Sequence, residues 1–84
     1  MPEVEQNLVG LVETVVTPLV ENPEELEITS TVEDGPNILI EIRVNPDDAG
    51  KVIGRQGRII KSIRTLTRAA ASRSECTVDV ELVD

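Results

Sequence analysis

A four-residue turn, Gly54-Arg55-Gln56-Gly57, is the part of the sequence whose residue types and spacing could do chemistry. Its two glycines remove side chains where a sugar-phosphate backbone must come close, and they permit a sharp turn. Cationic side chains stand in and around it: Lys51, Arg55, Arg58 and Lys61. Bare main chain beside positive charge is typical of phosphate binding.

The residues on either side of the turn predict the rest of such a site. A helix that begins at Gly57 would leave unpaired N–H groups around Arg58 and Ile59, aimed at an incoming phosphate. Val52, Ile53 and Ile60 could form an apolar floor for unstacked bases, with the core as the default place for Ile60. The alternative is a structural corner whose glycines only help packing. Arg55 and Gln56 argue against it, because such a corner does not need two long polar donors at its tip.

Positive charge is segregated in this acidic sequence. Seven of the eight basic residues lie between Lys51 and Arg73 with no acid among them, whereas residues 1–42 contain ten acids and no base, and the formal net charge is -8. We therefore expect one positive region on a negative body, which is what a polyanion partner requires. The alternative is a helix with a solvated basic face.

Composition excludes several classes of protein. Eighty-four residues allow one domain, 1–84, with dimerisation as a natural way to bury more apolar surface. The absence of Phe, Tyr and Trp argues against readers that stack bases on aromatic rings. One Cys and no His offer neither a disulfide nor a zinc set, so we expect no metal or cofactor, no enzyme and a cytoplasmic location. No signal peptide or membrane span is expected.

Hydrophobic periodicity predicts six main elements. They are a helix over 4–20 disturbed by Pro18, strands over 26–33 and 38–44 joined at Asp34-Gly35-Pro36, a short helix from the Asn45 cap to about Ile53, a helix over 57–71, and a strand over 76–83.

Within these elements, several residues receive specific roles. Asp47 and Asp48 are expected to cap a helix rather than to hold a metal, and Cys76 to be a buried hydrophobe rather than a nucleophile. The core side of the 57–71 helix is predicted to carry Ile59, Ile63, Leu66 and Ala70, with Ile60 and Thr67 at its margin. The opposite, solvated side is predicted to carry Arg58, Lys61, Arg64 and Arg68.

The element order predicts a two-layer α+β domain. A helical crossover favours parallel, adjacent placement of the second and third strands. The apolar second strand then lies at the centre of a three-stranded mixed sheet, with three helices on one face and polar side chains on the other.

The residues from Val52 to Ile60, preceded by Gly50-Lys51 and followed by Lys61-Ser62-Ile63-Arg64, resemble the KH domain in its type II arrangement. The length, the N-terminal helix and the run from Gly57 to Leu66 are similar to the bacterial family of small single-KH proteins of the KhpA (YlqC) type.

The resemblance implies a cytoplasmic protein that binds single-stranded RNA with little sequence demand, acts as an RNA chaperone and forms a homodimer. It also implies pairing with a larger KhpB (Jag, EloR) protein linked to cell elongation and shape. The residues expected to bind RNA are Lys51, Val52, Ile53, Gly54, Arg55, Gln56, Gly57, Arg58 and Lys61. An alternative function is an adaptor dimer that binds proteins independently of RNA.

Overall fold

A computed structural model describes residues 2–83 and contains the predicted elements in the predicted order. They are α1 (Pro2–Val16), β1 (Glu27–Val32), β2 (Asn37–Arg43), α2 (Ala49–Ile53), α3 (Arg58–Ser72) and β3 (Thr77–Val83). Short 3₁₀ turns at Thr17–Leu19, Pro23–Glu25, Pro46–Asp48 and Arg55–Gly57 connect them. Pro18 lies in the first of these turns, so α1 ends at Val16 instead of reaching Val20.

The sheet has the predicted topology. Its order is β1-β2-β3, with β1 antiparallel to β2 and β2 parallel to β3. The central strand alternates, so that Ile38, Ile40 and Ile42 are at most 1% exposed on the helix-covered face. The other face is exposed at Thr29 and Glu81, as predicted. These alternations confirm a two-layer α+β domain with β2 at its centre.

The side of α3 that enters the core differs from the predicted one. Its buried residues are Ile60, Ile63, Thr67 and Ala71. Leu66, which was predicted to be in the core, is 51% exposed. The Thr67 hydroxyl can be buried because it donates to the Ile63 carbonyl at 2.6 Å. The helix is therefore rotated relative to the prediction, and one edge of its basic side turns toward β3.

Asp48 is the second correction, because its side chain does not cap a helix end. Its side chain is fully buried, and it accepts hydrogen bonds from the Glu21 amide at 3.1 Å, the Asn22 amide at 3.0 Å, the Asn22 side chain at 3.2 Å and Lys51 Nζ at 3.4 Å. Asn45 does cap the turn, accepting from the Asp47 amide at 2.8 Å. Asp48 thus joins the start of α2 to the segment that follows α1.

The environment of Asp48 favours its ionised form. Burial alone would raise the pKa of this carboxyl, but the hydrogen bonds from Glu21, Asn22 and Lys51 outweigh burial and hold the pKa below its ordinary value of 3.8. A carboxyl with a lowered pKa in the folded state contributes stability above its unfolded pKa. That stability is lost as the pH falls through the folded pKa.

We therefore expect Asp48→Asn to lower the free energy of unfolding at pH 7 and to flatten its decline below about pH 3.8. The variant should bind about one proton fewer than the wild type on acid unfolding. Urea denaturation between pH 7 and pH 2.5 measures both effects. Asp47→Asn, which removes the neighbouring exposed carboxylate, is the matched control and should keep the wild-type curve. Equal acid slopes for the Asp48 variant and the wild type would contradict this assignment.

Candidate nucleic-acid interface

The Gly54–Gly57 loop is a single tight turn between α2 and α3. Three of its four residues have positive φ: Gly54 at 77°, Gln56 at 57° and Gly57 at 73°. The Gly57 amide closes the turn by donating to the Gly54 carbonyl at 3.1 Å. Positive φ costs a non-glycine residue on the order of 1–2 kcal/mol, so the turn needs its glycines and holds Gln56 under strain.

Gly54 is required for packing within the protein. A Cβ atom at this position would lie 2.5 Å from Ile59 Cγ1. The side chain of Ile59 therefore occupies the space that the missing side chain leaves. This corrects the expectation that both glycines leave room for a ligand.

Gly57 is the glycine that leaves an open approach. The nearest atoms to a Cβ built there are Ile60 Cγ2 and Lys61 Cε, both 3.9 Å away. That is ordinary contact distance, so a Cβ at Gly57 would meet no collision, unlike one at Gly54. Lys61 stands beside this opening.

In the part of the chain that the structure describes, the cations at the loop have no acidic partner. Within residues 2–83, none of the ion pairs involves Arg55, Arg58 or Lys61. All three are exposed, and Arg58 Nη2 donates to Gln56 Oε1 at 3.2 Å across the tip. The loop thus presents positive charge that the acidic body does not neutralise.

The amides at the start of α3 are less available than predicted. The Arg58 amide donates to the Arg55 carbonyl, and the Gly57 amide is used in closing the turn. In the described part of the chain, the Arg55 and Gln56 amides make no hydrogen bond to another element. The donors that a phosphate could meet are therefore displaced toward the tip.

Lys51 is placed away from this cationic group by its own contacts. Its Nζ lies 3.1 Å from Glu21 Oε1 and 3.4 Å from Asp48 Oδ1. The hydrogen bond to Glu21, followed by the attraction of both carboxylates, raises the pKa of Lys51 despite partial burial. Its charge is already compensated, and it joins α2 to the segment after α1.

Of the apolar residues assigned to a binding floor, only one lies at the surface. Val52 is fully buried and Ile60 is 7% exposed, so both belong to the core. Ile53, which ends α2 next to the loop, is 40% exposed.

Arg64 is a residue whose placement the sequence analysis missed. It is half-buried, and its Nε donates to the Val80 carbonyl of β3 at 3.0 Å. Arg68 on the same side lies 3.9 Å from Asp79 Oδ1. The spacing of Lys61, Arg64 and Arg68 was the available signal, since residues three and four apart share one side of a helix.

Comparison with solved structures supports the fold. Aquifex aeolicus Era bound to GDP.AlF4- matches with a TM-score of 0.63 at 18% identity, covering 94% of this chain and 31% of that chain. At this identity the likeness concerns the fold alone.

Comparison with protein families and curated proteins is more specific. Residues 10–82 match the family model described as KhpA/KhpB, KH domain. RNA-binding protein KhpA of Caldanaerobacter subterraneus subsp. tengcongensis is 45% identical over 73 residues, which cover 87% of this chain and 96% of that protein. RNA-binding protein KhpA of Borreliella burgdorferi is 37% identical over 78 residues, which cover 93% and 94%. A match of this extent, on this fold and around this loop, means that the chain belongs to the KhpA/KhpB family of KH domains.

Proposed function

We propose that this protein binds single-stranded RNA through the Gly54–Gly57 loop. The observation that carries the proposal is the accessible main chain at Gly57 beside three cations that have no acidic partner within residues 2–83. The relatives at 37–45% identity are named RNA-binding proteins, and the family is one of KH proteins and not of enzymes.

In this proposal each residue of the loop has a role. One phosphate passes over Gly57, the Arg55 and Gln56 amides face the strand at the tip, and Arg55, Arg58 and Lys61 neutralise charge. Loops of this type clamp about four nucleotides, whose unstacked bases can lie against exposed Ile53. Three phosphate contacts predict a shallow salt dependence of RNA binding. The slope of log K against log salt concentration should be about -2.

The finer parts of the proposal follow the family resemblance. They are a single KH domain over 1–84, RNA-chaperone activity in the cytoplasm, and a heteromer with a KhpB-type protein that serves cell elongation and shape. None of the helices within residues 2–83 has the length and apolar character needed to cross a membrane.

An apolar groove supports self-association. It lies between α1 and α3, has a volume of about 490 Å³ and includes the half-exposed side chain of Leu66. A two-fold pairing that sets α1 of one copy on α3 of the other would bury this groove. The same groove favours the alternative function, an adaptor that binds proteins independently of RNA.

The RNA proposal is tested at the loop tip. Arg55→Asp with Gln56→Asp should weaken RNA binding at least about tenfold, because it replaces attraction by repulsion. Fluorescence anisotropy with an unstructured RNA measures the affinity. Arg43→Asp with Gln6→Asp makes the same change in net charge at exposed positions away from the loop and should alter affinity far less. Unchanged RNA affinity in a folded loop variant would refute the proposal and leave the adaptor function.

The two glycines should respond differently to alanine. Gly54→Ala should destabilise the fold by more than the roughly 1–3 kcal/mol of backbone strain, because the new Cβ also collides with Ile59. Gly57→Ala should cost only about 1–2 kcal/mol but weaken RNA binding by occupying the open approach. Urea denaturation and anisotropy separate the two effects. Equal destabilisation by the two substitutions would show that the open space at Gly57 is misassigned.

Self-association is tested at Leu66. Leu66→Lys should convert a dimer into a monomer without unfolding it, because the side chain is already half-exposed. Sedimentation equilibrium reports the mass and circular dichroism the fold. Thr65→Lys, one residue earlier on an exposed side of α3, is the matched control and should remain dimeric. A monomeric wild type, or a dimeric Leu66 variant, would count against this interface.

A further inference from the structure

One side of α3 carries a row of three cations along the outer edge of the sheet. Lys61, Arg64 and Arg68 are spaced so that they share this side. β3 is an end strand in the order β1-β2-β3, so no strand pairs with its outer edge within residues 2–83. Arg64 covers that edge by donating Nε to the Val80 carbonyl.

The Arg64 guanidinium group is held in place, and not all of its hydrogen-bond donors are used. The Arg64 side chain makes a single hydrogen bond within residues 2–83, from Nε to the Val80 carbonyl at 3.0 Å, and it forms no ion pair there. The two terminal amino groups keep their donors. A guanidinium fixed through Nε loses little further freedom on binding a ligand that offers two acceptors side by side.

The row connects Arg64 to the proposed phosphate site. Lys61 lies beside the open face of Gly57, at 3.9 Å from its Cβ position. Arg64 follows the first residue of α3 by six positions, or about 9 Å along the helix axis. A strand of about four nucleotides that crosses Gly57 therefore reaches Arg64.

Charges at this edge favour a base over a phosphate. Asp79 and Glu81 flank Val80 on β3 and are exposed, and the Asp79 side chain is 71% exposed although Arg68 lies 3.9 Å away. A phosphate at Arg64 would approach these carboxylates, whereas an uncharged base would not be repelled. A depression of about 380 Å³ between α3 and β3, with Arg68 and Asp79 in its wall, lies next to this position.

We propose that Arg64 is a specificity-determining residue that binds the O6 and N7 acceptors of a guanine, an inference that rests on the proposed RNA binding. Guanine presents these two acceptors in the geometry of the arginine fork. Adenine presents a donor in place of O6 and does not match. The protein then prefers guanine at one nucleotide of the bound segment.

The experiment measures affinity for a short unstructured RNA with one central guanine, and for the same RNA with inosine, 7-deazaguanine or adenine there. Inosine keeps both acceptors and 7-deazaguanine lacks N7. The wild type should prefer guanine to adenine by between about 5-fold and about 150-fold, accept inosine and lose part of the preference with 7-deazaguanine. Arg64→Lys, which replaces the planar fork by a single ammonium, should weaken the preference. Arg68→Lys is the matched control and should retain it.

Each result decides the inference. Equal affinity of the wild type for all four RNAs overturns it while the proposed function stands. A uniform loss in Arg64→Lys, with base preference intact, overturns it in favour of a phosphate contact. If Arg64→Lys loses neither RNA affinity nor base preference, the inference is overturned and Arg64 only covers the edge of β3. The modified bases are tested on wild-type protein, so the outcome does not depend on the folding of a variant. Failure to bind any RNA overturns the proposed function itself.

Discussion

The packing of Ile59 against the bare main chain of Gly54 is the constraint on which the loop and α3 depend. It requires a glycine with φ of 77°, and it fixes the direction in which α3 leaves the turn. Because α3 then runs back over the sheet, the same contact determines which of its sides enters the core. Ile63 and Thr67 become buried, and Arg64 is carried to the edge of β3.

The acidic body of the protein distributes its few cations among different tasks. Glu21 and Asp48 compensate Lys51, Glu27 lies near Arg43, and Asp79 lies near Arg68. Within residues 2–83, the three cations at the loop are among those that keep no acidic partner. A strongly acidic protein with few basic residues can therefore bind an anion. The acidic residues compensate only the cations next to them and leave those at the loop uncompensated.

Much of the fold could be predicted because its elements follow simple periods. The alternation of Ile38, Ile40 and Ile42 indicated a strand covered on one face, and the crossover after it implied a parallel neighbour. The rotation of α3 could not be predicted, because apolar character favoured Leu66 over Thr67. The Thr67 hydroxyl donates to the Ile63 carbonyl in the preceding turn, and this bond removes the free-energy cost of burying the hydroxyl. Only coordinates reveal such a bond.

The candidate site was predicted in position but not in detail. Its location followed from the glycines and the cations, whereas the unequal roles of Gly54 and Gly57 depend on which neighbour fills the space above each. Asp48 satisfied a local capping pattern, although its partners are 26 and 27 residues earlier in the chain. Interactions across such a separation leave no signal in a short stretch of sequence.

The hydrogen bonds of Asp48 also limit how the domain can be divided. A fragment excised from β1 to β3 would keep the sheet, the loop and α3, but it would lack the Glu21 and Asn22 amides. Of the four groups that hold the Asp48 carboxylate, only Lys51 would remain. The loop therefore cannot be transferred alone. Grafting it onto another scaffold requires that the turn after α1 be included.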